Sequence, residues 1–226
     1  MTTDRRPYKR AAEDVRRDAL IAAALELIAE GGPKTATVRA IAEKAGVTAG
    51  LIRHYFTSKE DLVRESYRRM MDRMTADNAS VLDDTVPEPL TRLATFVAAS
   101  LMPPVVDSTR VGLWAGFMHG VQHDPDMRQV HIQTYLGYRD LLQSLIAEVQ
   151  IAPQEKSLRA IAIACNGVID GLWMEASAVP EVFDAGEIPS IGLRAVGAIL
   201  GVDLVAAYQA AGPATGAGIG AGPEKS

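Results

Sequence analysis

The chain has a single cysteine, Cys165, among its 226 residues. One thiol makes no internal disulfide, and no cysteine cluster or zinc spacing surrounds it, as expected of a protein that folds in a reducing cytosol. Aromatic residues are sparse at 5%, although an apolar content of 48% is ample for a packed core and argues against wholesale disorder. No run of about 18 apolar residues occurs, and Met1 does not open a basic leader followed by an apolar stretch, so neither a membrane span nor a secretory signal is expected. No segment alternates polar and apolar residues between turn signals, which leaves no candidate strand. The expectation is a soluble, cytoplasmic, all-α chain without cofactor or bound metal.

Negative charge predominates, at a net −5, but its distribution is uneven. Residues 1–75 carry 15 Lys+Arg against 11 Asp+Glu and the remaining 151 carry 8 against 17, so a +4 region precedes a −9 region. A polyanionic partner needs only one end of positive sign, whatever the total.

Residues 1–12 are polar and basic without periodicity, which predicts a flexible arm. Its Arg5, Arg6, Lys9 and Arg10 either follow a nucleic-acid backbone or groove or belong to a solvated tail. Over 13–30, Leu20, Ala23, Ala24 and Leu27 mark one face of a helix that Gly31-Gly32-Pro33 ends. Thr37 is suited to cap a second helix with Val38, Ile41, Ala42 and Ala45 on one face, and Gly46 supplies a left-handed stop. Val47 then plugs the core, and Thr48 caps a third helix with Leu51, Ile52 and Tyr55 turned inward. Ser58 to Asp61 has the form of a capping box and opens a helix over 59–78, rich in arginine and methionine. Beyond a looser stretch at 83–89, helices are expected at 89–101, 108–122, 125–150, 154–177 and 188–211, with breaks at Pro103-Pro104, Asp124-Pro125, Pro153, Pro180 and Pro189. The Gly/Ala/Pro-rich end, 212–226, reads as a disordered tail.

Residues 37–56 lay out as a helix-turn-helix: helix, Gly at the turn, apolar plug, capped second helix. In such a unit the first helix braces on the DNA backbone and the second enters the major groove. An αα-hairpin of purely structural use has the same periodicity. The longer run 17–62, with its IAxxAGV core, small Gly50 and aromatic-Phe-x-x-Lys-Glu ending, resembles the N-terminal domain of the TetR family of transcriptional repressors. The resemblance implies a DNA-binding domain at 13–62 and a larger helical domain at 63–211 that binds a small effector and dimerises. It also implies that Thr37 and Lys59 meet phosphate, and that Thr48, Ala49, Gly50, Arg53, His54 and Tyr55 lie on the recognition helix. Arg53 stands where many relatives carry an aromatic residue, so Tyr55 takes the role of the phosphate-contacting tyrosine. Arg53 either pairs with guanine or contacts phosphate only; Arg39 either joins this face or is a solvated arginine.

Two stretches, 112–130 and 166–177, resemble the regulatory domain of the betaine-operon repressors, a TetR subgroup that responds to choline. The residues allow an organic cation as effector: Trp114, Phe117 and Met118 share a helix face, as do Tyr135 and Tyr138, and Asp170 stands one turn before Trp173 and Met174. The same aromatics equally suit a core. Asp170 sits in an apolar run and needs a partner, either a cationic ligand, a helix N-terminus or Arg139. His119 and His123 at i, i+4, with Asp124, Asp126 and His131 nearby, have a spacing compatible with metal, but ordinary cap and surface roles account for it. Cys165 is expected to pack as a small apolar side chain. Small residues in 154–177 and 188–211 permit close helix approach, and in relatives this pair builds a two-fold dimer that presents two recognition helices to a palindrome. Two alternatives stand beside an effector-responsive repressor that binds operator DNA: an all-helical enzyme of small-molecule metabolism, and a dimerisation module that never meets DNA.

Overall fold

The computed structural model describes residues 5–82, 88–149 and 157–211. Among them the chain is all helical, as expected, in the order α1 (Arg5–Gly31), α2 (Val38–Lys44), α3 (Ala49–Tyr55), α4 (Lys59–Ala79), α5 (Pro89–Ala99), α6 (Ser108–His123), α7 (Pro125–Glu148), α8 (Leu158–Ala178), α9 (Glu187–Leu200) and α10 (Leu204–Ala210). No helix among the described residues is long and apolar enough to cross a membrane. The expected tail at 212–226 and the expected break at Pro153 lie outside the described residues.

Local chemistry sets most of the boundaries. Thr37 accepts the Ala40 N–H through its hydroxyl at 3.2 Å, and Ser58 accepts that of Asp61 at 3.0 Å. The Asp61 carboxylate returns to Thr57, taking both its N–H and its hydroxyl, so the capping box closes one residue earlier than its usual form. Pro89 and Pro125 begin their helices, where the missing N–H costs nothing. Gly46, at φ 65°, ends α2 in a Schellman turn: its N–H bonds to Glu43 O, and that of Val47 to Ala42 O. That turn sets the angle between α2 and α3.

Three expectations are corrected. The first helix begins at Arg5 rather than near residue 13, so most of the stretch expected as a flexible arm is helical. Arg, Lys and Ala extend a helix by intrinsic propensity without an apolar face, and Pro7 falls in its tolerant first turn. The span 188–211 is two helices, because Gly201 adopts φ 71°, the Val202 N–H turns back to Gly197 O, and Asp203 caps α10 through the Ala206 N–H. A Cβ on Gly197 would stand 2.7 Å from Val202 O, so this reversal requires glycine. Thr48 precedes α3 in the extended conformation of an N-cap, but its side chain makes no capping bond.

Two apolar clusters form the interior. In the first, Leu20, Ala24 and Ile28 of α1 meet Ile41 of α2, Ile52 of α3, and Leu62 and Tyr67 of α4. This cluster continues through Leu113 and Phe117 of α6 and Met127 and Val130 of α7. The second gathers Leu93 and Phe96 of α5, Leu142 and Ile146 of α7, Cys165 and Ile169 of α8, and Val196 and Leu200 of α9. Cys165 is fully buried there, as expected, and burial pushes its thiol up to about 11.

Substituting Gly46→Ala forces a side chain into the left-handed region at the turn. Its expected cost is about 1–2 kcal/mol, read as a fall of several degrees in Tm with the helical signal of the native state unchanged.

Candidate DNA face and effector cavity

Several cations near the helix-turn-helix are held by internal carboxylates. Around it, Arg17 pairs with Glu65 at 2.8 Å, Lys44 with Glu30 at 2.6 Å, and Arg69 with Asp18 at 2.9 Å. Arg64 lies 3.4 Å from Asp124, and Arg68 lies 3.8 Å from Glu65. Arg39, Arg53 and Lys59 make no such pair among the described residues, and Arg39 and Arg53 are exposed. Thr37, Thr48, Ala49, Gly50 and His54 are exposed as well. Tyr55 and Lys59 are half-buried, the former edge-on to the His54 ring at 5.0 Å. Ile52 and Phe56 turn inward and anchor α3.

In the other half, residues from α4 to α8 line a partly open cavity of about 420 Å³. Of the residues expected at a ligand site, it brings together Trp114, Tyr135, Tyr138, Asp170, Trp173 and Met174. Phe117 and Met118 are not among its walls. Phe117 is buried beside Tyr67, ring centroids 4.8 Å apart, and Met118 packs on the same N-terminal cluster. One helical stripe on α6 thus serves two interiors, the cavity at Trp114 and the first core at Phe117.

Sequence reading missed Met71, Met74, Thr75 and Asn78 of α4, together with Ser100, Val105, His131 and Ile169. The α4 group has a visible signal: positions 71, 74, 75 and 78 follow helical spacing and extend the inward face beyond what the three-helix domain uses.

Asp170 is the acidic group of the cavity wall. Tyr135 donates its hydroxyl to Asp170 Oδ2 at 2.8 Å, and Asn166 Nδ2 donates to the same oxygen at 2.7 Å and to Tyr135 Oη at 2.7 Å. Both donors converge on Oδ2, leaving Oδ1 without a protein partner among the described residues. Of the three partners considered for Asp170, Arg139 makes no ion pair with it. Burial raises the Asp170 carboxyl above its ordinary value, partly offset by these two hydrogen bonds, and burial beside Asp170 pushes the Tyr135 phenol up to about 12.

The other wall groups are fixed internally. The Tyr138 and Ser100 hydroxyls lie 2.9 Å apart, Trp173 Nε1 donates to Val105 O at 3.0 Å, and the Trp114 and Trp173 rings meet edge to face at 6.2 Å. His131 stacks on Tyr135 at 5.3 Å, and its Nδ1 lies 2.6 Å from Tyr67 Oη on α4. Burial lowers the His131 pKa, so its ring is neutral at physiological pH. The arrangement is a neutral aromatic chamber with one carboxylate, suited to binding rather than to nucleophilic or acid–base chemistry.

The histidines at the α6–α7 junction have other roles. His119 and His123 stack at 4.2 Å, His123 Nδ1 lies 2.8 Å from His119 O, Asp124 caps α7, and His131 turns to Tyr67.

Residues 20–66 match the bacterial regulatory proteins of the tetR family, and residues 89–201 match the C-terminal domain of BetI-type transcriptional repressors. The chain belongs to the TetR family. The HTH-type transcriptional regulator BetI 2 of Chromohalobacter salexigens is 30% identical over 179 residues, spanning 77% of this chain and 84% of that protein. Its counterpart BetI in Stenotrophomonas maltophilia is 28% identical over 177 residues, or 78% and 89% of the two chains. A transcriptional regulator of Pseudomonas aeruginosa of known structure superposes with a TM-score of 0.71 at 27% identity, covering 87% of this chain and 94% of that one. As a TetR-family repressor with a BetI-type regulatory half, the chain is a transcriptional regulator and not an enzyme. Membership also sets aside the module without DNA contact.

The raised carboxyl gives a pH signature. A folded-state value above the unfolded one makes burial of Asp170 costless below the ordinary carboxyl range and progressively costly as pH rises through the folded value. Asp170→Asn is therefore expected to raise Tm of the ligand-free protein at pH 7, with the gain shrinking toward zero near pH 3. A gain that persisted undiminished at acid pH would contradict this account.

Proposed function

We propose that the chain represses transcription as a two-fold dimer on a palindromic operator and is released when an organic cation enters the cavity. The observation that carries the effector reading is Asp170: a half-buried carboxylate with a free oxygen, no cationic partner, and aromatic rings of Trp114, Tyr135 and Trp173 lining the same cavity. Aromatic faces and a carboxylate together recognise a desolvated cation, at up to ~2 kcal/mol per ring. A neutral His131 adds no opposing charge. A regulator of Saccharomonospora viridis, 19% identical with a TM-score of 0.65, has been solved with choline, and FadR of Bacillus subtilis, 20% identical at 0.64, with stearoyl-CoA. The shared fold therefore accommodates very different effectors, and the charge of the wall selects among them here.

In this reading residues 13–62 bind DNA in the cytoplasm and 63–211 hold effector and partner. Arg39 and Lys59, free of internal carboxylates, neutralise phosphate and Thr37 hydrogen-bonds to it, while Thr48, Ala49, Gly50, Arg53, His54 and Tyr55 present the recognition helix. The dimer forms through α8 and the split α9–α10 segment. Supporting this, Ile163, Gly167, Gly171, Met174 and Ala178 form one exposed apolar stripe on α8, and a Cβ on Gly167 or Gly171 would meet nothing within 4 Å in a single protomer. Effector shifts the population toward a dimer whose recognition helices no longer match successive grooves. Tyr67 relays the change, being bonded to the cavity through His131 and packed into the DNA-binding half.

Arg53→Ala is expected to weaken operator binding about 5- to 150-fold with the fold intact, and titration separates its two roles. A base contact relaxes the preference for the matching base pair by ~1–3 kcal/mol; a phosphate contact instead lowers the log–log salt slope by about 1. Operator binding that Arg53→Ala leaves unaltered would remove α3 as the reading helix. Gly167→Glu, placed where a single protomer has open space, is expected to yield a folded monomer by light scattering with operator affinity reduced at least tenfold. A Gly167→Glu dimer of undiminished stability would place the interface elsewhere.

A further inference from the structure

Resting on the cation reading above, we infer that the effector carries, beside its positive charge, a neutral hydrogen-bonding group, and that the Asn78 amide reads it. Asn78 lines the cavity from the last turn of α4, yet it is only 3% exposed. Its Oδ1 is buried and has no hydrogen-bond partner among the described residues. By contrast, Ser100 and Tyr138 bond to each other, Tyr135 donates to Asp170, Trp173 Nε1 donates to Val105 O, and His131 Nδ1 meets Tyr67 Oη.

Stability does not account for an asparagine at this position. It is a weaker helix former than leucine or methionine, and Met71 and Met74 line the same cavity from the same helix with apolar side chains. A buried amide oxygen that makes no bond costs its full desolvation, whereas an apolar replacement of like shape is close to neutral or stabilising. The turn that carries it is held in place: Asp77, the preceding residue, pairs with Arg110 of α6 at 2.6 Å. A half-turn of the amide exchanges its acceptor and its donor, so one hydroxyl satisfies whichever end meets the ligand. A second ammonium suits the position less well, because Asp170 is the only acidic residue among the described residues of the wall. Charge is thus read at Asp170 and the neutral group at Asn78. A site with a buried polar group to satisfy rejects a ligand that lacks the partner far more strongly than an apolar pocket rejects one methylene too few.

Four trimethylammonium salts test this on the full-length protein by calorimetry: the 2-hydroxyethyl and 3-hydroxypropyl cations, each against the n-propyl or n-butyl cation in which a methyl replaces the hydroxyl. The wild-type chain is expected to bind the better hydroxylated cation about tenfold or more tightly than its methyl isostere. Asn78→Leu is expected to lose that preference or reverse it, and to raise Tm of the ligand-free protein because the unpartnered amide is gone. Equal affinity of the wild type for both hydroxylated cations and their methyl isosteres overturns the inference and leaves the cation reading standing. A hydroxyl preference that Asn78→Leu retains in full overturns it equally. If 3,3-dimethylbutan-1-ol, the uncharged isostere of the hydroxyethyl cation, binds as tightly as that cation and Asp170→Asn alters neither, the cation reading itself fails and this inference falls with it.

Discussion

Tyr67 is the side chain that joins the two halves of the molecule. It is fully buried on α4, its ring packed against Phe117 of α6 and its hydroxyl bonded to His131 of α7. Through packing it belongs to the interior that supports the recognition helix; through its hydrogen bond it reaches the cavity wall. Burial raises the pKa of its phenol, so it stays protonated throughout the physiological range. Close-packed interiors favour discrete rearrangements over smooth deformation, so in the proposed mechanism a displacement of His131 would change how α4 seats.

What the sequence made legible was local. The caps at Thr37 and Ser58 and the left-handed Gly46 are decided within five residues of themselves, and the three-helix unit follows from them. The assignment of inward faces was less decisive. Periodicity on α6 correctly turned Trp114 and Phe117 inward, but a helix face has no label for which interior it meets, and Phe117 went to the first core while Trp114 reached the cavity. The α4 wall was missed because no inward face was assigned beyond the start of that helix, and only the position of α7 and α8 turns the methionine positions into a cavity surface. At 188–211, the apolar period runs across Gly201 uninterrupted, so the break is visible only in the Gly-Val-Asp chemistry of stop and cap.

Charge tells a similar story. The basic excess of the N-terminal third marks the right region, yet Arg17, Lys44, Arg64 and Arg69 are engaged with carboxylates on α1, α4 and α7 and hold the helices to one another. A count weights Lys44 and Arg53 alike, although the first clamps α2 to α1 and the second is exposed without a partner. Pairing, which depends on tertiary structure, is what converts a charged segment into a directed face.

Cys165 has a practical consequence. Its thiol is fully buried in the second core, with its ionisation suppressed by burial, so the natural chain presents no reactive sulfur to solvent. A cysteine placed on the exposed side of α3 would accept a spin label or fluorophore alone, without first removing a native thiol from the core. In a two-fold assembly one such label per subunit forms a symmetric pair, and the distance between them becomes a direct ruler for the separation of the two DNA-reading helices.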